Sequence, residues 1–117
     1  MRIGEVSARA GVSVRALRYY EEQGLLVPQR SHNGYRIYDD SALDRVGQIQ
    51  LLYSAGLCSA KIAELLPCVS GDRDGVIPGD GLIDSLRVEH DRISRQIAEM
   101  RQSLRVLESV IEAGTAR

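Results

Sequence analysis

The segment from Leu82 to Ala113 contains neither proline nor glycine, and it constrains the fold more than any other part of the chain. Its apolar residues recur with the alternating spacing of three and four that is typical of a coiled coil. A helix of this length, rising about 1.5 Å per residue, extends roughly 48 Å and is longer than a small domain is wide. The pattern therefore predicts a long helix that needs a partner, and a second copy of the chain is the simplest one.

The predicted dimer seam is apolar except for His90. That histidine has two interpretations, a pH or metal sensor and a polar residue that sets the register of the pair, and we favour the second. Together the seam positions are Ile83, Leu86, His90, Ile93, Ile97, Met100, Leu104, Leu107 and Ile111.

Near the N-terminus the sequence has the pattern of two short helices joined by a glycine-containing turn. Gly11 ends the first helix, and Ser13 is the expected N-cap of the second, which is predicted over 13–23. Arg15, Arg18 and Tyr19 fall on one outward stripe of that second helix. They are either ordinary solvated side chains or contacts to a DNA groove.

A hairpin is predicted around Asn33-Gly34, with strands at 31–32 and 35–38. Its tyrosines can pack across the strands or contact a sugar-phosphate backbone, and Arg36 suits a phosphate. The candidate DNA-binding residues are Ser13, Arg15, Arg18, Tyr19, Tyr35, Arg36 and Tyr38.

The charge is divided unevenly along the chain, although its total is only −1. Residues 1–38 carry six arginines against three glutamates, a net +3, and residues 39–117 carry a net −4. Positive charge therefore accompanies the helix and hairpin that suit duplex DNA. The acidic remainder leaves an alternative open, a coiled-coil adaptor whose headpiece binds protein.

Two further helices are predicted, one over 42–55 and one that follows Cys58-Ser59 and stops before Pro67. Residues 68–81 contain four glycines and one proline, a composition typical of a flexible connector. The predicted fold is mainly α. It comprises a winged helix-turn-helix headpiece over 1–67, a connector over 68–81, a coiled-coil dimerisation helix over 82–113 and a short tail over 114–117.

Several classes of function are disfavoured. The chain has no apolar run of about 18 residues and no secretory signal, so we expect a cytoplasmic protein with no membrane partner. It shows no catalytic triad and no phosphate loop, so we expect neither enzymatic activity nor a cofactor. Cys58 suits either redox sensing or a structural place beside an N-cap, and we favour the latter. Cys58 precedes the fourth helix and Cys68 follows it, so the two thiols are roughly 12 Å apart and no metal site within one subunit is predicted.

The chain resembles the MerR family of bacterial transcription regulators. The resemblance rests on Ile3-Gly4-Glu5-Val6, on the run from Ala16 to Glu21, on Gly24-Leu25-Leu26, on the run from Asn33 to Tyr38, and on Gly56-Leu57-Cys58. It implies a winged helix-turn-helix headpiece with an antiparallel coiled-coil helix. It also implies a homodimer bound to a pseudo-palindromic operator in double-stranded promoter DNA, with RNA polymerase as a partner.

One departure from the family concerns the effector. Metal-sensing members carry cysteines near the start of the long helix and in a loop after it, and multidrug-sensing members carry a further ligand-binding domain. Here Asp80-Gly81 precedes the helix, and residues 114–117 follow it. The resemblance therefore implies no particular inducer.

Overall fold

The computed structural model describes residues 1–72, 75–79 and 81–116, and the chain divides into two compact units, Met1–Leu82 and Ile83–Arg117. Among the described residues, no helix is both long and apolar enough to cross a membrane. The predicted class, mainly α with a small hairpin and a long terminal helix, is confirmed. The elements are α1 (Ile3–Ala10), α2 (Val14–Glu22), β1 (Gln29–Arg30), β2 (Arg36–Ile37), α3 (Ser41–Ser54), α4 (Ser59–Leu65), a 3₁₀ turn (Leu66–Cys68), β3 (Val69–Asp72), β4 (Gly75–Pro78) and α5 (Leu82–Thr115).

The turn between α1 and α2 forms as the sequence predicts. Gly11 takes a left-handed conformation with φ 69°, which a side chain disfavours, and its N–H donates to the Ser7 carbonyl at 3.0 Å. The Ser7 hydroxyl donates to the Val12 carbonyl at 2.6 Å and fixes the start of the next segment. The chain can therefore reverse within three residues, and α2 packs against α1.

The core of the first unit is mainly aliphatic, because the chain has no Phe or Trp and only Tyr20 and Tyr38 are buried aromatic residues. Leu17 from α2 is fully buried with Val6, Ile49 and Ile62 from three other helices. Burying each such side chain contributes about 1.5–3 kcal/mol, so this cluster fixes the rotation of α2 about its axis. The polar stripe of α2 consequently faces outward.

Helix α3 begins at Ser41, one residue earlier than predicted. Asp40 occupies the N-cap position but makes no capping bond with its side chain, and the side chain of Asp39 bonds to the first residue of the helix instead. The Asp39 carboxylate accepts hydrogen bonds from the Ser41 hydroxyl and from the Ser41 N–H, the latter at 3.0 Å. The bond from the Ser41 hydroxyl holds the pKa of Asp39 below its ordinary value. Helix α4 stops before Pro67, as expected.

A second hairpin replaces the flexible connector predicted over 68–81. Strands β3 and β4 pair antiparallel, with Val69 opposite Pro78, and both strands contact α3. The glycine-rich composition concealed two short strands, and one of the glycines is required by the hairpin itself. Gly71 has φ 110°, and a Cβ there would lie 2.5 Å from the Gly75 carbonyl oxygen. The first unit therefore reaches Leu82, although the expectations for Arg73, Asp74 and Asp80 lie outside the described residues.

Helix α5 runs two residues past the predicted end at Ala113 and includes Gly114 and Thr115. The rest of the predicted tail is Ala116 and Arg117, of which Arg117 lies outside the described residues. No described side chain of this helix is buried. Its apolar seam therefore remains in contact with water in a single chain.

Candidate nucleic-acid interface

Helix α2 presents its polar stripe to solvent, as the sequence predicts. Arg15, Arg18 and Tyr19 are exposed, and Tyr19 retains 45% of its surface. Leu17 and Tyr20 are buried on the opposite side of the helix. The geometry matches the predicted stripe, and contact of these side chains with DNA stays a prediction.

Ser13 takes the N-cap position, where its hydroxyl oxygen accepts a hydrogen bond from the Ala16 N–H at 3.1 Å. This bond satisfies one of the free donors at the start of α2 and accounts for a serine at this position. Ser13 is also exposed, so its predicted DNA contact remains compatible with its capping role.

The wing is the hairpin of β1 and β2, and its first strand lies two residues earlier than predicted. Ser31 belongs to the turn instead, because its carbonyl accepts from the Gly34 N–H at 2.9 Å. Gly34 has φ 82°, whereas Asn33 keeps a negative φ. The turn is therefore longer than a two-residue Asn-Gly turn, and the first strand shifts to Gln29–Arg30.

Four arginines and a tyrosine line an open groove of 430 Å³ between α2 and the wing. Arg30 and Arg36 are cross-strand partners, and the Arg30 guanidinium also donates to the Gly34 carbonyl at 3.0 Å. Like charges this close repel one another, so a polyanion placed in the groove is stabilised. The side chains concerned are Arg2, Arg18, Arg30, Tyr35 and Arg36.

Sequence reasoning missed Arg2 and Arg30. The Arg2 guanidinium carbon lies 4.4 Å from the centre of the Tyr35 ring, a cation–π contact that contributes about 0.5–1 kcal/mol at an exposed site. The correct hairpin register reveals Arg30, because it places that residue opposite Arg36. Arg2 has no comparable sequence signal, since its place depends on how the N-terminus packs.

Arg36 has a protein partner that the sequence did not indicate. Its Nη1 lies 3.1 Å from Glu21 Oε2, and the Tyr38 hydroxyl donates to the other oxygen of the same carboxylate. Tyr38 keeps only 3% of its surface, so it has almost no surface for the direct DNA contact that the sequence predicts for it. Arg36 and Tyr38 lie on the same side of the chain, because both bond to Glu21.

Tyr19 and Tyr20 of α2 both contact the rest of the first unit. The Tyr19 and Tyr53 hydroxyls lie 3.3 Å and 2.5 Å from the Ser59 hydroxyl oxygen at the start of α4. Tyr20 stacks on Tyr53 with ring centres 5.8 Å apart, and burial raises the pKa of Tyr20. Tyr20 therefore packs in the core, and its neighbour Tyr19 remains accessible.

Neither the cysteines nor His90 belong to a metal-binding cluster among the described residues. Cys58 is the N-cap residue of α4, and both Cys58 and Cys68 are free thiols with exposed side chains. His90 Nδ1 lies 3.3 Å from Asp91 Oδ1, and the His90 side chain is 77% exposed. Within the part of the chain that the structure describes, no three His, Cys, Asp or Glu residues are arranged to hold a metal ion. Redox sensing remains the less favoured of the two interpretations of Cys58.

A capped two-helix motif, a hairpin wing and a long helix with an apolar seam define a winged helix-turn-helix protein with an extended terminal helix. Residues 1–67 match the model of the MerR HTH family regulatory proteins. The chain therefore belongs to the MerR family, as the sequence motifs predict.

Two relatives and one solved structure describe the similarity further. The HTH-type transcriptional activator TipA of Streptomyces coelicolor is 35% identical over 112 residues, which are 95% of this chain but 41% of TipA. The mercuric resistance operon regulatory protein of Bacillus cereus is 34% identical over 107 residues, covering 91% of this chain and 79% of that protein. The Ralstonia metallidurans regulator PbrR691, crystallised with lead(II), is 31% identical with a TM-score of 0.73, covering 95% and 82% of the two chains. The chain thus spans less than half the length of TipA.

Proposed function

We propose that this protein is a dimeric, sequence-specific DNA-binding transcription regulator that acts in the bacterial cytoplasm. Helix α2 enters the major groove, and the wing lies along the adjacent phosphates. The observation that carries this proposal is the groove between α2 and the wing, which gathers four arginines from three separate segments. Membership of a family of regulatory proteins supports the same function.

The proposed assembly is a homodimer through α5. Its apolar seam residues remain about half exposed in the single chain, with Ile97 at 47% and Leu104 at 55%. Two headpieces related by a twofold axis match a pseudo-palindromic operator, and an operator within a promoter makes RNA polymerase the partner that responds.

The test is binding to DNA from upstream of the protein's own gene, by footprinting and by titration at several salt concentrations. If three or four arginines of each headpiece neutralise a phosphate, log Kobs falls against log salt with a slope of about −5 to −7 for the dimer. Arg95→Ala is a control for the loss of an arginine that the proposal places away from the DNA. Arg95 lies on α5 and outside the predicted seam, so its loss should leave the slope unchanged.

The alternative, a coiled-coil adaptor whose headpiece binds protein, makes the opposite prediction. A slope near zero, or no protected sequence upstream of the gene, would contradict the proposed function and favour the adaptor. A steep slope shared by wild type and Arg95→Ala, together with a discrete footprint, would support DNA binding by the headpiece.

A further inference from the structure

Glu21 is the point at which α2 and the wing are joined. Its side chain is 9% exposed. Its two carboxylate oxygens accept hydrogen bonds from Arg36, in the second wing strand, and from Tyr38, just after that strand. Oε2 lies 3.1 Å from Arg36 Nη1, and Oε1 accepts from the Tyr38 hydroxyl. Within the described residues, two side-chain hydrogen bonds join α2 to the wing, and Glu21 accepts both of them.

The far side of that strand is fixed as well. The Met1 ammonium donates to the Tyr38 carbonyl at 2.6 Å, and the Tyr38 N–H donates to the Met1 carbonyl at 2.7 Å. Tyr38 is therefore held by its backbone on one side and by its hydroxyl on the other. Arg36, two residues earlier, takes its place in the arginine-lined groove from this arrangement.

A carboxylate beside this groove has an electrostatic cost, because it repels the phosphates that the arginines attract. Arg36 remains 52% exposed while it contacts Glu21, and a guanidinium carries five N–H donors. It can therefore keep its bond to Glu21 and donate to a phosphate at the same time. The anchoring bond offsets the repulsion only if the position of the wing matters for binding.

We propose that Glu21 is a positioning residue for DNA binding. It holds the wing, and Arg36 in particular, at the distance from α2 at which one duplex contacts both elements. This role rests on the proposed function, since it describes how the two parts of the same interface are coupled.

The test compares Glu21→Gln with Glu22→Gln, which removes the same charge from an exposed neighbouring position of the same helix. Glu22→Gln is expected to raise operator affinity by about twofold, because it removes a charge that repels phosphate. Glu21→Gln is expected to lower affinity by about tenfold, because loss of a charge-assisted bond releases the wing. Opposite signs for two equal changes in charge distinguish positioning from simple repulsion.

A double-mutant cycle separates positioning from a general effect on folding. In an Arg36→Ala background, Glu21→Gln should lower affinity less than it does in the wild type, because the main side chain that it positions is absent. An equal loss in both backgrounds would overturn the proposal, as would a gain in affinity equal to that of Glu22→Gln. If Glu21→Gln does not fold, Tyr38→Phe replaces it, because this variant removes one bond to Glu21 and leaves its charge. Tyr38→Phe should also lower affinity, and unchanged affinity would overturn the proposal.

The wild-type protein is measured first. Absence of operator binding by the wild type would overturn the proposed function and the role of Glu21 together. Operator binding by the wild type with equal effects of the two glutamate substitutions would overturn the role of Glu21 alone.

Discussion

Replacing Ile97 and Leu104 with aspartate should convert the protein into monomers. Both residues lie on the predicted seam of α5, and they retain 47% and 55% of their surface in the single chain. An apolar stripe of this length in water favours association, and a charge placed within it opposes association.

The size of the effect follows from these exposures. Complete burial of such a side chain contributes about 1.5–3 kcal/mol, so burying the remaining half contributes about 1 kcal/mol. A twofold dimer contains four of these side chains, which together contribute about 4 kcal/mol, or roughly a thousandfold in the dimer dissociation constant. Carboxylates left without partners in the interface add to this loss.

The assay is analytical ultracentrifugation over a range of protein concentrations, with circular dichroism to verify that the headpiece stays folded. The matched control carries Val88→Asp and Val106→Asp, which alter residues that are 64% and 53% exposed on the same helix but lie outside the seam. The seam variant should sediment as a monomer, and the control as the wild-type dimer. If both variants dimerise with equal affinity, or if the wild type is itself monomeric, the assignment of the interface is wrong.

Three further predictions concern DNA, metal and pH. Arg18→Ala should weaken operator binding by about 1–3 kcal/mol and relax sequence preference, whereas Arg36→Ala should weaken binding to all duplexes and flatten the salt slope; unchanged affinity in both would contradict the groove-and-wing geometry. Titration of the reduced protein with Zn²⁺, Cu⁺ or Hg²⁺ should show no stoichiometric site tighter than micromolar that alters operator affinity, and such a site lost in Cys58→Ser would contradict this. Burial raises the pKa of Tyr20, so the contribution of its protonated hydroxyl to the free energy of unfolding is complete below pH 10.0 and is lost as pH rises through the higher pKa of the folded state. In thermal melts at alkaline pH, Tyr20→Phe should therefore lose less stability than the wild type. An equal loss of stability in the two proteins would refute the reasoning.

The helices could be predicted from the sequence because their signals are local. Gly11 requires a left-handed backbone, Ser13 supplies a cap, and the apolar period of α2 places Leu17 inward. Each of these signals acts within about four residues, so the surroundings do not alter it. The outward stripe of α2 followed from the same period.

The wing and the second hairpin could not be placed as well, because short strands take their register from tertiary contacts. The Asn33-Gly34 pair indicated a turn, yet the bonds made by Ser31 moved the first strand two residues toward the N-terminus. The glycines near Gly71 indicated a loop, although β3 and β4 gain stability by packing on α3. Sequence reasoning also explained Arg36 by phosphate alone, whereas a glutamate fifteen residues earlier in the chain already pairs with it.

Each headpiece has only a small arginine cluster, and under the proposed function this makes dimerisation part of DNA recognition. Four arginines line the groove, and Glu21 offsets part of their charge through its contact with Arg36. One headpiece neutralising three or four phosphates binds weakly at physiological salt, because each phosphate contact loses strength as salt rises. A second headpiece tethered through α5 binds at an effective concentration set by the tether, so the dimer gains affinity without any new type of contact. We therefore expect the apolar seam to determine operator affinity as directly as the arginines do, and we expect a seam substitution to weaken DNA binding even though the groove is unchanged.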